Sequence, residues 1–96
     1  MLYALICTDK AHSVDLRLKH RPSHREFLKG LGERLKAAGP FLADDMTTPS
    51  GSLVILEVAN RDEALAIASE DPYAQAGLFE TVEIRPWEWV FNNPEV

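Results

Sequence analysis

Residues 22–39 read PSHREFLKGLGERLKAAG and carry the main helical pattern of the chain. Pro22 suits the first position of a helix, and Gly39 suits the left-handed residue that commonly ends one. Between these two residues, leucines recur at spacings of three and four, which is the pattern of an amphipathic helix. We therefore predict a helix from Pro22 to Ala38. Its buried face carries Phe27, Leu28, Leu31 and Leu35.

His24 lies on the same face, four residues before Leu28 and seven before Leu31. A titratable ring directed into a small domain must be satisfied by a partner or used in chemistry. The partner that stands out is Asp71, which begins the turn Asp71-Pro72-Tyr73. An aspartate before proline is also a common helix N-cap, and a buried histidine often bonds only a carbonyl or carboxylate. A catalytic pair and a structural pair are therefore both open at this point.

The rest of the chain supplies further elements on either side of this helix. A second helix is capped by Asn60 or Asp62, and four segments have the length and composition of strands. The strands are residues 2–8, Phe41–Met46, Leu53–Val58 and Leu78–Phe91. The short turn at 47–51 makes the second and third strands antiparallel neighbours. The order strand, helix, strand, strand, helix, strand predicts a ferredoxin-like α+β fold with an antiparallel sheet and both helices on one face.

Two local features and one global feature refine this prediction. Arg21 precedes a proline, so residues 14–20 are expected to form a separate helical turn. The apolar alternation changes phase at Pro86, which predicts a β-bulge or a strand break there. A sheet with helices on one face only leaves its other face bare, so we expect a homodimer that covers it.

Composition and net charge limit the classes of protein to which the chain can belong. The chain has 96 residues, 46% of them hydrophobic and 26% charged, as expected of one domain over residues 1–96. The net charge of −5 and the lack of a basic stripe disfavour nucleic acid as a partner. No apolar run is long enough for a membrane span, and the first residues do not resemble a signal peptide. Cys7 has no intramolecular mate, which fits a reducing compartment, so we expect a cytoplasmic protein without membrane attachment.

Four more residues are candidates for binding a small-molecule ligand. Arg17 and Arg21 could bind a carboxylate or enolate oxygen, Ser52 could donate a hydroxyl from the hairpin, and Tyr73 adjoins Asp71. Ser52 is most simply interpreted as a hairpin residue after Gly51, and Tyr73 can also be a packing residue.

The adjacent carboxylates Asp44 and Asp45 have no accompanying ligands at a recognisable metal spacing, so no metal site is predicted.

Several short motifs occur in an order that spans nearly the whole chain. Together they resemble the YciI-like family. The motifs are Arg17 with Arg21-Pro22-Ser23-His24, Ala38-Gly39-Pro40, Gly51-Ser52, Asp71-Pro72-Tyr73, Ala76-Gly77-Leu78-Phe79 and Val82-Glu83-Ile84-Arg85-Pro86-Trp87. The resemblance implies a ferredoxin-like fold assembled as a dimeric α/β barrel, with His24 and Asp71 as a histidine–aspartate active site. A related enzyme is a dehydrochlorinase that acts on a chlorinated hydroxyhydroquinone.

Three functional hypotheses follow. The first is a lyase, dehydrochlorinase or isomerase that needs no cofactor and uses His24 as a general base oriented by Asp71. The second is a non-catalytic module that binds a small metabolite in the same cleft or serves as an accessory protein. The third is a structural dimer whose partner is another protein.

Overall fold

One antiparallel sheet and three helices build the structure, a computed structural model that describes residues 1–96. The strands are β1 (Leu2–Asp9), β2 (Leu35–Leu42), β3 (Pro49–Glu57) and β4 (Phe79–Trp87), and the helices are α1 (Val14–Gly30), α2 (Arg61–Glu70) and α3 (Pro72–Gln75). The strand order is β2-β3-β1-β4, and every neighbouring pair is antiparallel. The predicted ferredoxin-like α+β architecture is confirmed. No helix is long and apolar enough to cross a membrane.

The core forms on one face of the sheet because side chains alternate along each strand. Tyr3, Leu5 and Cys7 of β1 point to this face and pack against residues of the helices. The same buried cluster contains, from the other elements, Leu31, Val54, Leu56, Val58, Ala64, Ile67, Ala68 and Ile84. The opposite face carries the intervening residues, such as Ala4 and Ile6, and no helix covers it.

The first helix differs from the prediction at both ends. It is continuous from Val14 to Gly30, with Pro22 inside it and not at its start. Proline in a helix interior removes one backbone hydrogen bond. The cost is tolerated here because the residue is exposed and the helix buries Arg17 and His24 on either side of it. The predicted separate turn over residues 14–20 is therefore wrong, and His24 lies at the middle of a longer helix.

The C-terminal part of the stretch that was predicted to be helical is a strand. After α1, Gly32 takes a left-handed backbone angle (φ +59°) and begins a single 3-10 turn, Gly32–Arg34, before β2. Glycine adopts this conformation at little cost, so it redirects the chain. Residues 35–42 then pair with β3, with Ala38 opposite Val54. The predicted strand at Phe41–Met46 begins six residues too late, and Leu35 lies in the sheet, not on the helix.

The last strand also differs from the prediction. Pro86 pairs with Tyr3 and Trp87 with Leu2 in unbroken register, so there is no bulge at Pro86. β4 is an edge strand, where a residue without an N–H is accommodated on the unpaired side. The register shift lies instead between Thr8 and Asp9 of β1. The strand ends at Trp87, and residues 88–91 are outside it.

The two remaining helices begin as predicted. The Asn60 side chain accepts a hydrogen bond from the Glu63 N–H at 2.9 Å, which makes it the N-cap of α2. Asp71 caps α3 in the same way by accepting from the Tyr73 N–H at 2.9 Å, with Pro72 at the first helical position. These caps determine where Asp71 and Tyr73 lie relative to the sheet.

Gly51 is a position where the fold requires glycine. A Cβ atom added there would overlap the backbone carbonyl of Cys7 on the neighbouring strand. We expect Gly51→Ala to destabilise the protein by about 1–3 kcal/mol, because the β1 and β3 backbones would have to separate. Urea unfolding measures this loss. Gly39→Ala is the matched control, since its Cβ would meet nothing within 4 Å. Equal unfolding midpoints for both variants would contradict the close approach.

Candidate active site

A cleft of about 590 Å³ lies between α1 and the β2–β3 hairpin. Its floor includes Ser52, Val54 and Tyr73, and its walls are apolar side chains of the helix and the strands. The wall residues are Val14, Leu18, Leu28, Pro40, Leu42 and Pro49. His24, Arg17 and Arg21 also line the cleft, so five of the six residues predicted for the catalytic or binding site contribute to its surface. The sixth, Asp71, lies behind His24.

The histidine–aspartate pair is formed. His24 Nδ1 lies 2.9 Å from Asp71 Oδ1 and 3.0 Å from Oδ2, and both residues are buried. An ionised carboxylate only accepts hydrogen bonds, so Nδ1 carries the proton and donates it to this bond. Nε2 makes no hydrogen bond within the chain. Because every buried side-chain nitrogen or oxygen has a hydrogen-bond partner, Nε2 is not fully buried. This nitrogen is therefore the one available to a ligand in the cleft that His24 lines.

Asp71 performs two tasks with one carboxylate. Its Oδ1 accepts the Tyr73 N–H as the N-cap of α3 and also faces the His24 ring. The structural and site interpretations of Asp71 are thus compatible. The cap restrains the carboxylate by a backbone bond, so the imidazole is oriented by a group that does not move freely.

Tyr73 holds the other side of the imidazole. Its ring stacks on His24 with a centroid separation of 3.9 Å and an interplanar angle of 16°. The guanidinium of Arg17 lies 4.6 Å from the centre of the Tyr73 ring, a cation–π distance. Burial raises the pKa of the Tyr73 hydroxyl, and the positive charges of Arg17 and Arg21 offset this only in part. The hydroxyl is therefore protonated at neutral pH and able to donate.

Arg17 is bound to an acidic residue that the sequence analysis did not single out. Its Nε donates to Asp9 Oδ2 at 2.7 Å, and its Nη2 donates to Asp9 Oδ1 and to Ser52 Oγ, both at 2.9 Å. Burial opposes the charge of Arg17, but the hydrogen bonds and negative charge of Asp9 outweigh it, so the guanidinium pKa is raised. Only Nη1 makes no hydrogen bond within the chain, which leaves Arg17 with one donor group for a ligand.

Two more arginines line the cleft from α1. Arg21 was predicted as a binding residue, whereas Arg25 was not. Both side chains are exposed, and neither forms an ion pair with a carboxylate. The signal that could have identified Arg25 is its position four residues after Arg21, on the same face of one helix. That signal is visible only if the helix continues through Pro22.

The hairpin tip closes one end of the cleft with Thr47 and Thr48. Asp45 accepts hydrogen bonds from both backbone N–H groups and from the Thr48 hydroxyl. These bonds, the side-chain bond of Thr48 first, lower the Asp45 pKa to about 2. Asp45 thus orders the tip. No group of three or more His, Cys, Asp or Glu side chains is placed to hold a metal ion.

Cys7 lies beneath the site and is shielded from reagents. Burial, followed by the negative charges of Asp71 and Asp9, raises the pKa of its thiol to about 12. We expect a disulfide reagent at pH 8 to react with the native thiol roughly 1,000-fold more slowly than with the urea-unfolded chain, because only the thiolate reacts. The raised pKa also means that the folded state binds the proton more tightly, so stability falls as pH rises from about 9 towards 12. Equal rates for folded and unfolded protein would contradict this placement.

Comparisons with known proteins agree with the architecture. The YCII-related domain model matches residues 1–88. Protein YciI of Escherichia coli is 41% identical, over 95% of this chain and all of that protein. An uncharacterized protein of Haemophilus influenzae is 36% identical with the same coverage of both chains.

One solved structure is similar over almost its full length. The 5-chloro-2-hydroxyhydroquinone dehydrochlorinase TftG of Burkholderia phenoliruptrix, in complex with 2,5-dihydroxybenzoquinone, superposes with a TM-score of 0.86 at 28% identity. The match covers 97% of this chain and 99% of that one. The resemblance noted from the sequence motifs is confirmed, and the chain belongs to the YCII-related domain family.

Proposed function

We propose that this protein is a small lyase or isomerase in which His24 acts as the general base on a small organic substrate. The observation that carries the proposal is the 2.9 Å contact between His24 Nδ1 and Asp71, with Nε2 free in a cleft large enough for a small molecule. With Nδ1 protonated, Nε2 holds the lone pair that a general base needs.

The reaction is a proton transfer coupled to loss or migration of a group. His24 Nε2 takes a proton from an acidic C–H or O–H, and the electron pair of that bond forms a new double bond. In an elimination, the leaving group, for example chloride, departs with the electron pair of its own bond. In an isomerisation, the imidazolium returns the proton to another atom. Asp71 stabilises the imidazolium that forms in between, and the proposed donors to a developing oxyanion are Tyr73 and Arg17 Nη1, whose residues line the same cleft. This proton transfer needs no cofactor.

The similarity to the dehydrochlorinase supports an elimination over other reactions. That protein acts on 5-chloro-2-hydroxyhydroquinone, and its fold superposes on this chain over nearly every residue. Loss of hydrogen chloride is an elimination that begins with a proton transfer of the kind described. We therefore propose chlorinated or hydroxylated quinols and quinones as the first substrates to examine.

The test uses two readouts on the wild-type protein. Chloride release from 5-chloro-2-hydroxyhydroquinone reports elimination, and deuterium exchange into the ring C–H positions of 2,5-dihydroxybenzoquinone reports proton abstraction. Rates above those in buffer support the proposal. If both compounds bind but neither rate exceeds that in buffer, the general-base function fails for this class. The protein is then better described as a non-catalytic binding module.

We also propose a homodimer that covers the open face of the sheet, in a cytoplasmic protein. Phe41 and Trp87 lie on that face and are 39% and 42% exposed, and the half-buried Ile6 and Leu53 lie between them on the same face. Burial of such a surface favours association. Light scattering coupled to size-exclusion chromatography gives the mass, and Phe41→Glu should shift a dimer to monomer. A monomeric wild-type protein would contradict the proposal.

A further inference from the structure

The charges around the cleft are one-sided. Three of the ten lysine and arginine residues line it, namely Arg17, Arg21 and Arg25, and no aspartate or glutamate does. The whole chain, by contrast, has a net charge of −5 from 15 acidic residues. A positively charged cleft in an acidic protein is an arrangement that concentrates anions at one place.

The three arginines occupy successive turns of one helix face. They are four residues apart in α1, so their Cα atoms step by about 6 Å along the helix axis. Arg17 is neutralised by Asp9, whereas Arg21 and Arg25 have no acidic partner. The two unpaired guanidiniums belong to residues three before and one after His24, and all three residues line the same cleft. Planar guanidinium forks match the oxygens of carboxylates and enolates.

We infer that the ligand of the cleft is a small organic anion with an apolar ring or chain, whose carboxylate, enolate or phenolate oxygens are bound by Arg21 and Arg25. The apolar walls from Leu18, Leu28 and Pro40 contact the uncharged body of such a molecule. This inference rests on the proposed function, because it assigns the substrate class of the same site. Arg21 and Arg25 then determine specificity: they select the anion and hold its ionised end while His24 faces the acidic proton.

The experiment compares two probes that differ in charge. 2,5-Dihydroxybenzoquinone ionises readily, and 2,5-dimethoxybenzoquinone is its neutral analogue. We expect calorimetry to show the anionic probe binding roughly tenfold or more tightly than the neutral one. The preference should weaken as sodium chloride is added, because salt screens exposed charges.

Two variants test which residues cause the preference for the anionic probe. The double variant Arg21→Gln, Arg25→Gln should lose most of the preference, and Arg61→Gln, an exposed arginine on α2 outside the cleft, should keep it. All three positions are exposed, so folding is expected to be unchanged, and circular dichroism checks this. Equal affinity for the two probes, or a double variant that binds like the wild type, would overturn the inference. Absence of binding by 2,5-dihydroxybenzoquinone would equally overturn it.

The same variants distinguish a failure of this inference from a failure of the proposed function. If His24→Asn retains turnover while the arginine variants lose affinity, the cleft is an anion site and the general-base role is wrong. If His24→Asn loses turnover while the arginine variants bind and react normally, the general-base role stands and the ligand is not held by Arg21 and Arg25.

Discussion

We expect His24→Asn to lower turnover of an authentic substrate by about 100- to 10,000-fold, which is the usual contribution of a positioned general base. Asparagine keeps a donor close to the position of Nδ1, so it preserves the bond to Asp71, but it has no basic nitrogen at the place of Nε2. The loss should therefore appear in kcat more than in KM. Steady-state kinetics on the wild type and the variant measure both parameters.

A matched control separates chemistry from folding. His12→Asn makes the same substitution at an exposed histidine whose backbone is left-handed (φ 60°), a conformation that asparagine tolerates well. This control should retain wild-type kinetics. Far-UV circular dichroism and the unfolding midpoint of His24→Asn should show that the fold is kept. A variant at His24 that turns over at the wild-type rate would remove the general base from the mechanism.

Asp9→Asn should destabilise the protein by about 3–5 kcal/mol, because it leaves the buried guanidinium of Arg17 without its counter-charge. Both side chains of this pair are 5% exposed, so water cannot replace the lost partner. The amide of asparagine also presents a donor to the Arg17 donors where a carboxylate oxygen accepted before. Urea unfolding, monitored by tryptophan fluorescence, gives the free-energy difference.

Two further variants test whether the cost arises from the unpaired charge. Asp44→Asn replaces an exposed aspartate and should change stability by less than about 0.5 kcal/mol. The double variant Asp9→Leu, Arg17→Met removes both charges and should recover a large part of the stability lost in Asp9→Asn. If Asp9→Asn unfolds at the same urea concentration as Asp44→Asn, the pair does not stabilise the fold.

Several elements of the fold were predicted correctly from short-range sequence signals. The β3 strand, the Asn60 cap and the Asp71 cap depend on residues within a few positions of one another, and each was predicted from them. The hairpin and the element order followed, and with them the ferredoxin-like fold. Local patterns carry this information because cap bonds and side-chain alternation involve near neighbours in the chain.

The boundary between α1 and β2 shows where local signals fail. Leucine spacing and Gly39 favoured a helix as far as Ala38, but residues 35–42 instead pair with β3. The leucine spacing marks the buried side of the helix as far as Leu31. Leu35 continues this spacing only by chance, because it lies in a strand. Backbone pairing with β3 outweighs a helix propensity of a few tenths of a kcal/mol per residue.

The candidate site divides in the same way. The sequence alone determined the register of His24 with Leu28 and Leu31, the cap at Asp71, and through its motifs the family. The pairing of Arg17 with Asp9, the stacking of Tyr73 on His24 and the position of Arg25 in the cleft became apparent from the folded structure. The reason is the separation in sequence of the residues that interact. A cap or a helix face is specified by neighbours along the chain, whereas an ion pair between a strand end and a helix depends on how separate elements pack.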